Sequence, residues 1–150
     1  MAVINPYLNF DGNCEEAFNF YKSVFGGEFG YVGRFSEMPP DPNYPPMPEE
    51  MKNRIMHISL AIGGSQTNIL MGSDTGGEWA SNHIVGNNIS ISIGASSKEE
   101  ADRIFNALAD GGTVTMPLAN VFWGDYFGMC IDKYGINWMM SFNENYKPQA

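Results

Sequence analysis

The chain is poor in basic residues, histidine and cysteine, and each scarcity excludes a class of function. Eight lysines and arginines stand against 17 acidic residues, so the formal net charge at pH 7 is −9. This charge repels phosphate backbones and anionic lipid surfaces, which argues against nucleic-acid and membrane partners. The chain has only two histidines, so a three-histidine metal site is impossible.

The two cysteines, Cys14 and Cys130, form neither a disulfide framework nor a C-x-x-C pair. We interpret both as reduced packing residues. No apolar run approaches the ~20 residues that span a bilayer. Residues 1–10 lack the basic start and the apolar run of a signal peptide. Together these absences favour a cytoplasmic protein.

Sequence motifs for several chemistries are also missing. The chain has no glycine-rich nucleotide-binding motif, no G-x-S-x-G nucleophile motif and no H-E-x-x-H zinc motif. The sequence therefore argues against nucleotide binding and triad hydrolysis. With 150 residues and 43% hydrophobic composition, the chain fits one globular domain, residues 1–150, which buries roughly 70% of its unfolded surface.

The chain does contain an internal repeat. Residues 13–17 (NCEEA) and 97–101 (SKEEA) each open an apolar run. Within the two runs, apolar residues recur in step: Ala17, Phe20, Tyr21 and Val24 in the first, and Ala101, Ile104, Phe105 and Leu108 in the second. This pattern predicts two short helices of one design. It indicates a duplicated α+β module, with the functional site expected in the cleft between the halves.

Each predicted helix carries start and stop signals. Asn13 and Ser97 each precede a glutamate by three residues. In this capping-box spacing each side chain can satisfy an otherwise unpaired backbone N–H. Glycine pairs at 26–27 and 111–112 are expected to end the helices.

Strand patterns surround both helices. Period-two alternation and turn residues predict strands at 3–10, 28–36, 54–62, 66–71, 88–93, 113–122, 126–131 and 136–142. The order is β-α-β-β-β in both modules. Module one is expected at about 1–73 and module two at about 87–143, with a linker at 74–86.

The insertion at 37–53 is the largest difference between the modules. It carries six prolines and several acids, which excludes a central strand and is too long for an ordinary turn. We expect a loop, either a solvated insertion or a lid over the cleft.

The first strand of each module has one polar face. Asn5, Tyr7 and Asn9 share a face in module one. In module two, the residues that alternate with Ile89, Ile91 and Ile93 are Asn88, Ser90 and Ser92. Such a face is either exposed surface or the floor of a cleft.

His57 lies in a strand between apolar residues, and two interpretations stay open. It is either a hydrogen-bonded core or cleft-wall group, or it is a ligand or base. His83 lies in the linker and is expected at the surface.

Residues 122–128 (FWGDYFG) are the densest cluster of unusual residues. Trp123 and Tyr126 could form the walls of an apolar pocket, with Asp125 as its polar group. The alternative is an aromatic-rich strand turn without a binding role.

These residues resemble a known family. Residues 7–13 (YLNFDGN), Glu16-Ala17, Phe20-Tyr21 and 25–27 (FGG) are similar to the opening of PhnB-like proteins, a branch of the vicinal oxygen chelate superfamily. Trp123-Gly124-Asp125 with Gly128, Asp132, Gly135 and Trp138 resembles the closing signature of that branch. His57 falls where the third strand of the branch commonly carries histidine.

The resemblance implies an α+β fold of two tandem β-α-β-β-β modules whose curled mixed sheets surround a cleft, often in a homodimer. Metal-using members hold their ion with histidine and glutamate. Those positions fall here on Asn5, Leu70 or Met71, Asn88 and Met139. Amide and thioether groups hold a hard or borderline divalent ion poorly, so no glyoxalase-type metal site and no cofactor are expected. Similar proteins have been described as ubiquinone-pathway methyltransferases, but the chain carries no cofactor-binding motif for that activity.

Three functions stay open. The first is binding of a small organic molecule without a metal, at Asn5, Tyr7, His57, Met71, Asn88, Trp123, Asp125, Tyr126 and Met139. The second is a lyase, isomerase or dioxygenase-like enzyme in which His57 acts as general base or joins a relocated metal site with Asp125 or another acid. The third is a scaffold whose dimer interface is its role.

Overall fold

The computed structural model describes residues 1–76 and 82–145. The chain divides into two compact units, residues 1–84 and 85–150, and each contains one four-stranded mixed sheet. Part of the predicted linker at 74–86, the stretch 77–81 with Trp79, lies outside the described residues.

Unit one contains the first four β-strands. Its elements in chain order are β1 (Tyr7–Phe10), α1 (Cys14–Phe25), β2 (Phe29–Arg34), α2 (Glu49–Lys52), β3 (Ile55–Ala61) and β4 (Ile69–Asp74). The spatial order of the strands is β1-β4-β3-β2. β1 runs parallel to β4, and the other two pairs are antiparallel.

Unit two repeats this arrangement. Its elements are β5 (Ile91–Gly94), α3 (Lys98–Ala109), β6 (Thr113–Asn120), β7 (Tyr126–Ile131) and β8 (Asn137–Phe142). The spatial order is β5-β8-β7-β6, with β5 parallel to β8. The predicted α+β class and the order β-α-β-β-β are therefore confirmed in both units.

The first strand of each unit starts later than predicted. β1 begins at Tyr7 rather than at residue 3, because Pro6 has no N–H to donate to a neighbouring strand. β5 begins at Ile91 rather than at Asn88. Ile89 is 75% exposed, so the expectation that it shares a packed face with Ile91 is wrong.

Amphipathic helices cover one face of each sheet. In α1 the buried residues are Cys14, Ala17, Phe18, Tyr21 and Val24. In α3 they are Ala101, Ile104, Phe105 and Leu108, as the repeat predicts. α1 packs on β3 and β4, and α3 packs on β6, β7 and β8. We call the other side of each sheet its helix-free face.

The two helix starts differ, although their sequences match. The Ser97 hydroxyl accepts a hydrogen bond from the Glu100 N–H at 3.0 Å, so the predicted cap is confirmed there. The cap predicted at Asn13 is wrong, since its side chain makes no capping hydrogen bond. The buried carboxylate of Asp74 instead accepts from the N–H groups of Gly12 (2.8 Å) and Cys14 (3.0 Å).

The insertion at 37–53 has little regular structure apart from α2. Its described residues are mostly exposed. A role as a lid stays a prediction.

Both cysteines are buried free thiols. Burial raises the pKa of the Cys130 thiol to about 11, and burial likewise raises the pKa of Cys14. Both thiols therefore stay protonated at neutral pH, as expected of packing residues.

Candidate functional site

The helix-free face of unit one carries no charged side chain among the strand residues that the register places there. Alternation along the strands, together with the pairing register, puts ten residues on this face. They are Tyr7, Asn9, Tyr31, Gly33, His57, Ser59, Ala61, Ile69, Met71 and Ser73. The surface is therefore aromatic and hydrogen-bonding but uncharged when His57 is neutral.

His57 lies between two tyrosine rings on this face. The ring centre of Tyr7 is 5.6 Å from that of His57, with an angle of 29° between the planes. The Tyr31 ring is 5.8 Å away on a tilt of 39°. The Tyr7 hydroxyl is also 3.3 Å from Nδ1 of His57, within hydrogen-bonding distance. The imidazole is thus held by three contacts from two strands. We call these three residues the Tyr-His-Tyr cluster.

Gly33 makes room for the Tyr31 ring. Gly33 lies directly opposite His57 in the sheet, and Tyr31 lies opposite Ser59. A Cβ at Gly33 would come within 2.6 Å of the Tyr31 ring and its hydroxyl oxygen. Because glycine has no side chain, the tyrosine ring can extend across the strand to the imidazole.

Tyr31 and Gly33 were missed by reasoning from the sequence. The alternation within residues 28–36 shows that the two share a face, but it does not show which residue of another strand they oppose. Only the pairing register with β3 brings them beside His57. The signal that could have found them is an aromatic residue two positions from a glycine on a neighbouring strand.

The structure brings together part of the predicted site in unit one. Tyr7 pairs with Met71 across the parallel strands, and both share the face of His57. Asn5 lies before β1 and is half-buried. The hydroxyl and imidazole groups therefore belong to one surface, whereas Asn5 lies at its margin.

The predicted site residues of unit two do not form one cluster. Met139 lies on the helix-free face of the second sheet, opposite Ser92 and Met129. Tyr126 lies on the other face, where its hydroxyl donates a hydrogen bond to Asp102 of α3 at 2.5 Å. Asn88 is exposed ahead of β5. The Tyr126 hydroxyl thus links β7 to α3, and Tyr126 does not lie beside Met139.

Asp125 braces the β6–β7 turn. Its Oδ2 accepts a hydrogen bond from Trp123 Nε1 at 2.8 Å, and its Oδ1 accepts one from Asn143 Nδ2 at 2.7 Å. The Trp123 ring packs against Phe127 with a centroid distance of 5.6 Å. These contacts support the interpretation of residues 122–128 as a braced aromatic turn.

The registers also change the match between the two halves, since the resemblance treats Asn5 and Asn88 as equivalent positions. Tyr7 lies opposite Met71, and Ser92 lies opposite Met139. Both methionines are flanked by buried residues in β4 and β8, so we take Met71 and Met139 as equivalent. Ser92 then corresponds to Tyr7, and Ser90 rather than Asn88 corresponds to Asn5.

The residues at the positions that the resemblance assigns to a metal do not fit a divalent ion. Asn5, the thioethers of Met71 and Met139, and either Asn88 from the sequence match or Ser90 from the strand register offer neither carboxylate nor imidazole. Across residues 1–76 and 82–145, no group of three or more His, Cys, Asp or Glu residues could hold a metal ion.

The described part of the chain also has no helix long and apolar enough to cross a membrane.

Comparisons with known proteins agree with the fold. The family model described as 3-demethylubiquinone-9 3-methyltransferase matches residues 2–141. Protein YjdN from Escherichia coli is 30% identical over 143 residues, covering 92% of this chain and 93% of YjdN.

Two solved structures share the fold over nearly their full length. PA1353 from Pseudomonas aeruginosa superposes with a TM-score of 0.78 at 38% identity, over 95% of this chain and 98% of its own. A PhnB protein from Bacillus cereus gives 0.72 at 28% identity, over 93% and 98%.

The fold defines a two-module α+β protein in which each unit has the order β-α-β-β-β. The chain belongs to the PhnB-like family that is described as 3-demethylubiquinone-9 3-methyltransferase.

Proposed function

We propose that this protein binds a small, uncharged organic molecule on the helix-free face of unit one, without a glyoxalase-type metal site. The observation that carries the proposal is the contact of His57 with both Tyr7 and Tyr31. Aromatic rings offer large contact area, and hydroxyl and imidazole groups orient a ligand. A surface of this kind suits a planar ligand that carries hydrogen-bonding groups.

Charge supports an uncharged ligand. The two arginines of unit one are already engaged in ion pairs, Arg34 with Glu15 and Arg54 with Asp11. An anionic ligand such as a phosphonate needs convergent cations. The residues on the helix-free face supply none, and the net charge of −9 opposes an anion further.

A fragment screen by saturation-transfer NMR, using neutral aromatic and heteroaromatic compounds on the full-length chain, tests this proposal. Hits are expected to shift the imidazole resonances of His57. Tyr31→Leu and Tyr7→Leu should each weaken binding about fivefold, since an aromatic contact contributes roughly 1 kcal/mol beyond burial.

Tyr44→Leu is the matched control, because Tyr44 lies in the insertion and is 73% exposed. It should bind the hits as the unmodified protein does. Hits that leave the imidazole resonances of His57 unshifted would refute the proposal. Equal affinity of the leucine variants at Tyr7, Tyr31 and Tyr44 would refute it too.

Elemental analysis tests the metal part separately. Purified protein is expected to contain no stoichiometric divalent ion, because the amide and thioether donors are poor ligands for one. Copurification of one tightly bound divalent ion per chain would overturn the proposal that no such metal site exists. The proposed ligand surface would still be tested by the fragment screen.

A second candidate is an enzyme in which His57 transfers a proton. The favouring observation is the Tyr7 hydroxyl at 3.3 Å from Nδ1, which orients the imidazole. Such a base could abstract a proton next to a carbonyl. Exchange of that proton in D₂O on a carbonyl-bearing hit would support this function if His57→Gln abolishes the exchange, and equal exchange rates would exclude it.

We also propose that the protein is a cytoplasmic homodimer. Exposed apolar side chains lie at the start of the chain (Met1, Val3 and Ile4) and in the segment 84–89 (Ile84, Val85 and Ile89). Clusters of this kind often mark interfaces. Light scattering should give twice the chain mass, and replacement of Ile84 and Ile89 by serine should give the monomer.

A further inference from the structure

Three methionines line up across three adjacent strands in unit two. Met139 of β8 lies opposite Met129 of β7, and Met129 lies opposite Met116 of β6. Residues directly opposite in a sheet share a face, and in a regular pair their Cβ atoms lie roughly 4.5–5.5 Å apart. The pairing of Met116 with Met129 is irregular, because the register shifts on both sides of Met116. All three side chains are partly exposed on the helix-free face. We call this row the methionine ladder.

The described strand residues next to the methionine ladder on that face carry no charge, and Ser92 lies beside Met139 in the same row. The next row of the sheet holds Gly94, Ser141, Phe127 and Ala119, none of which is charged. The buried thiol of Cys130 belongs to the opposite face, where it lies next to Trp138 in the sheet.

Thioether sulfur is a soft ligand that selects Cu(I) over hard divalent ions. Met139, whose thioether does not suit a hard divalent ion, therefore suits a soft monovalent ion, and so do Met116 and Met129 beside it. Methionine has three rotatable bonds, so neighbouring side chains on adjacent strands can turn their sulfurs toward one ion. The central Met129 adjoins both of the others.

We propose that the methionine ladder of Met116, Met129 and Met139 binds a soft monovalent metal ion, Cu(I), through three thioether sulfurs. The methionine ladder belongs to unit two, whereas the ligand surface around His57 belongs to unit one. The bound ion keeps its oxidation state, and no bond other than metal–sulfur coordination forms.

Titration of the full-length protein with Ag(I), which shares the coordination preferences of Cu(I) and does not change oxidation state, tests the proposal. Cu(I) is then titrated without oxygen against the chromogenic chelator bicinchoninate. One ion per chain is expected. Replacing all three ladder methionines by leucine should weaken binding at least about 100-fold, since losing even an outer-sphere partner can cost that much affinity.

The matched control replaces Met38, Met47 and Met51 by leucine. These three methionines lie in or next to the insertion at 37–53, and this variant keeps both cysteines and both histidines, as the ladder variant does. It should bind like the unmodified protein. Equal affinity of the ladder variant and the control, or no competition with bicinchoninate by the unmodified protein, would overturn the proposal.

A second readout uses the unmodified protein, so it holds even if the leucine variant fails to fold. The ¹³C methyl resonances of Met116, Met129 and Met139 should move together on addition of one equivalent of Ag(I). Shifts confined to His57, His83 or other methionines would refute the ladder as the site.

Discussion

Asp74, the last residue of β4, accepts a hydrogen bond from the backbone N–H of Cys14 at 3.0 Å. It therefore caps helix α1, although it lies 60 residues further along the chain. The same carboxylate accepts from the N–H groups of Gly12 at 2.8 Å and Ile55 at 2.9 Å. One buried side chain, 4% exposed, thus joins the turn between β1 and α1, the start of α1, and strands β3 and β4. It stabilises the sheet that carries the Tyr-His-Tyr cluster.

Replacing Asp74 by alanine should lower the free energy of unfolding by about 3 kcal/mol or more. Three backbone donors would lose a charged acceptor, and each such bond contributes roughly 1.5–3 kcal/mol. Urea denaturation followed by circular dichroism measures the change. Asp41→Ala is the control, because Asp41 is exposed and accepts only the local N–H of Asn43. Equal stability of the two variants would contradict the role assigned to Asp74.

The two helix caps should respond differently to the same substitution. Ser97→Ala removes a capping acceptor from Glu100 and should cost about 1 kcal/mol. Asn13→Ala should cost less than about 0.5 kcal/mol, because Asn13 makes no capping bond and Asp74 accepts the donors at that end of α1. Thermal unfolding of both variants checks the prediction. A larger loss at Asn13 would show that its side chain caps the helix.

Trp138→Phe should lower the unfolding free energy by about 2–4 kcal/mol. Trp138 and Asp132 are 2% and 3% exposed, and the indole N–H donates to the carboxylate at 2.8 Å. The variant leaves a cavity and removes one donor to a buried charge. Trp123→Phe is the matched control, since Trp123 is 49% exposed and also donates to an aspartate. It should cost less than about 1 kcal/mol.

Gly33→Ala should separate Tyr31 from His57 with little loss of stability. The added Cβ would clash with the end of the Tyr31 side chain, which can rotate away. The imidazole proton resonances of His57 should then shift, because the ring current of Tyr31 is lost. Gly94→Ala is the control, since its Cβ would meet nothing within 4 Å. If His57 resonances are the same in both variants, Gly33 does not position Tyr31.

The Tyr126 phenol should make stability depend on alkaline pH. The Asp102 carboxylate accepts its hydrogen bond and so raises the pKa of Tyr126 above its ordinary value. Because folding raises this pKa, the protonated phenol stabilises the folded state. Its contribution to the free energy of unfolding is complete below the ordinary tyrosine pKa of about 10. It is lost as pH rises through the folded-state pKa.

Tyr126→Phe should therefore be less stable than the unmodified protein at neutral pH, and the difference should vanish at strongly alkaline pH. Urea denaturation at both pH values measures this. In an absorbance titration of the tyrosines, the variant should also lack the group that ionises at the highest pH. Tyr44→Phe, at an exposed position, should alter neither result. A difference that persists in strong alkali would exclude the Asp102 contact as its origin.

Local patterns were sufficient for the helices and for most strands. The runs that begin near residues 14 and 98 predicted both helices and most of their packed faces, because helix amphipathicity is a property of one short segment. The repeat pointed to Phe20 in α1, but Phe18 is the buried residue there. β7 begins and ends as predicted, at Tyr126 and Ile131. Strand starts were less accurate, since a strand exists only where a partner accepts its hydrogen bonds.

The candidate site was predictable only in part. His57, Tyr7 and Met71 were expected at one site and share a face. Tyr126 was expected beside Met139 but lies on the opposite face of the sheet. In the alternation of β7, Tyr126 shares a face with Gly128 and Cys130, and this face is the one covered by α3.

The amino-acid sequence by itself determined the duplicated α+β plan and the two amphipathic helices. These follow from residue type and short-range spacing. Tertiary structure alone decided that Asp74 caps α1, that Tyr31 reaches His57 across Gly33, and that three methionines form a row. Each of these depends on strand register, which sets distant residues opposite one another and is specified by the packing of the whole sheet.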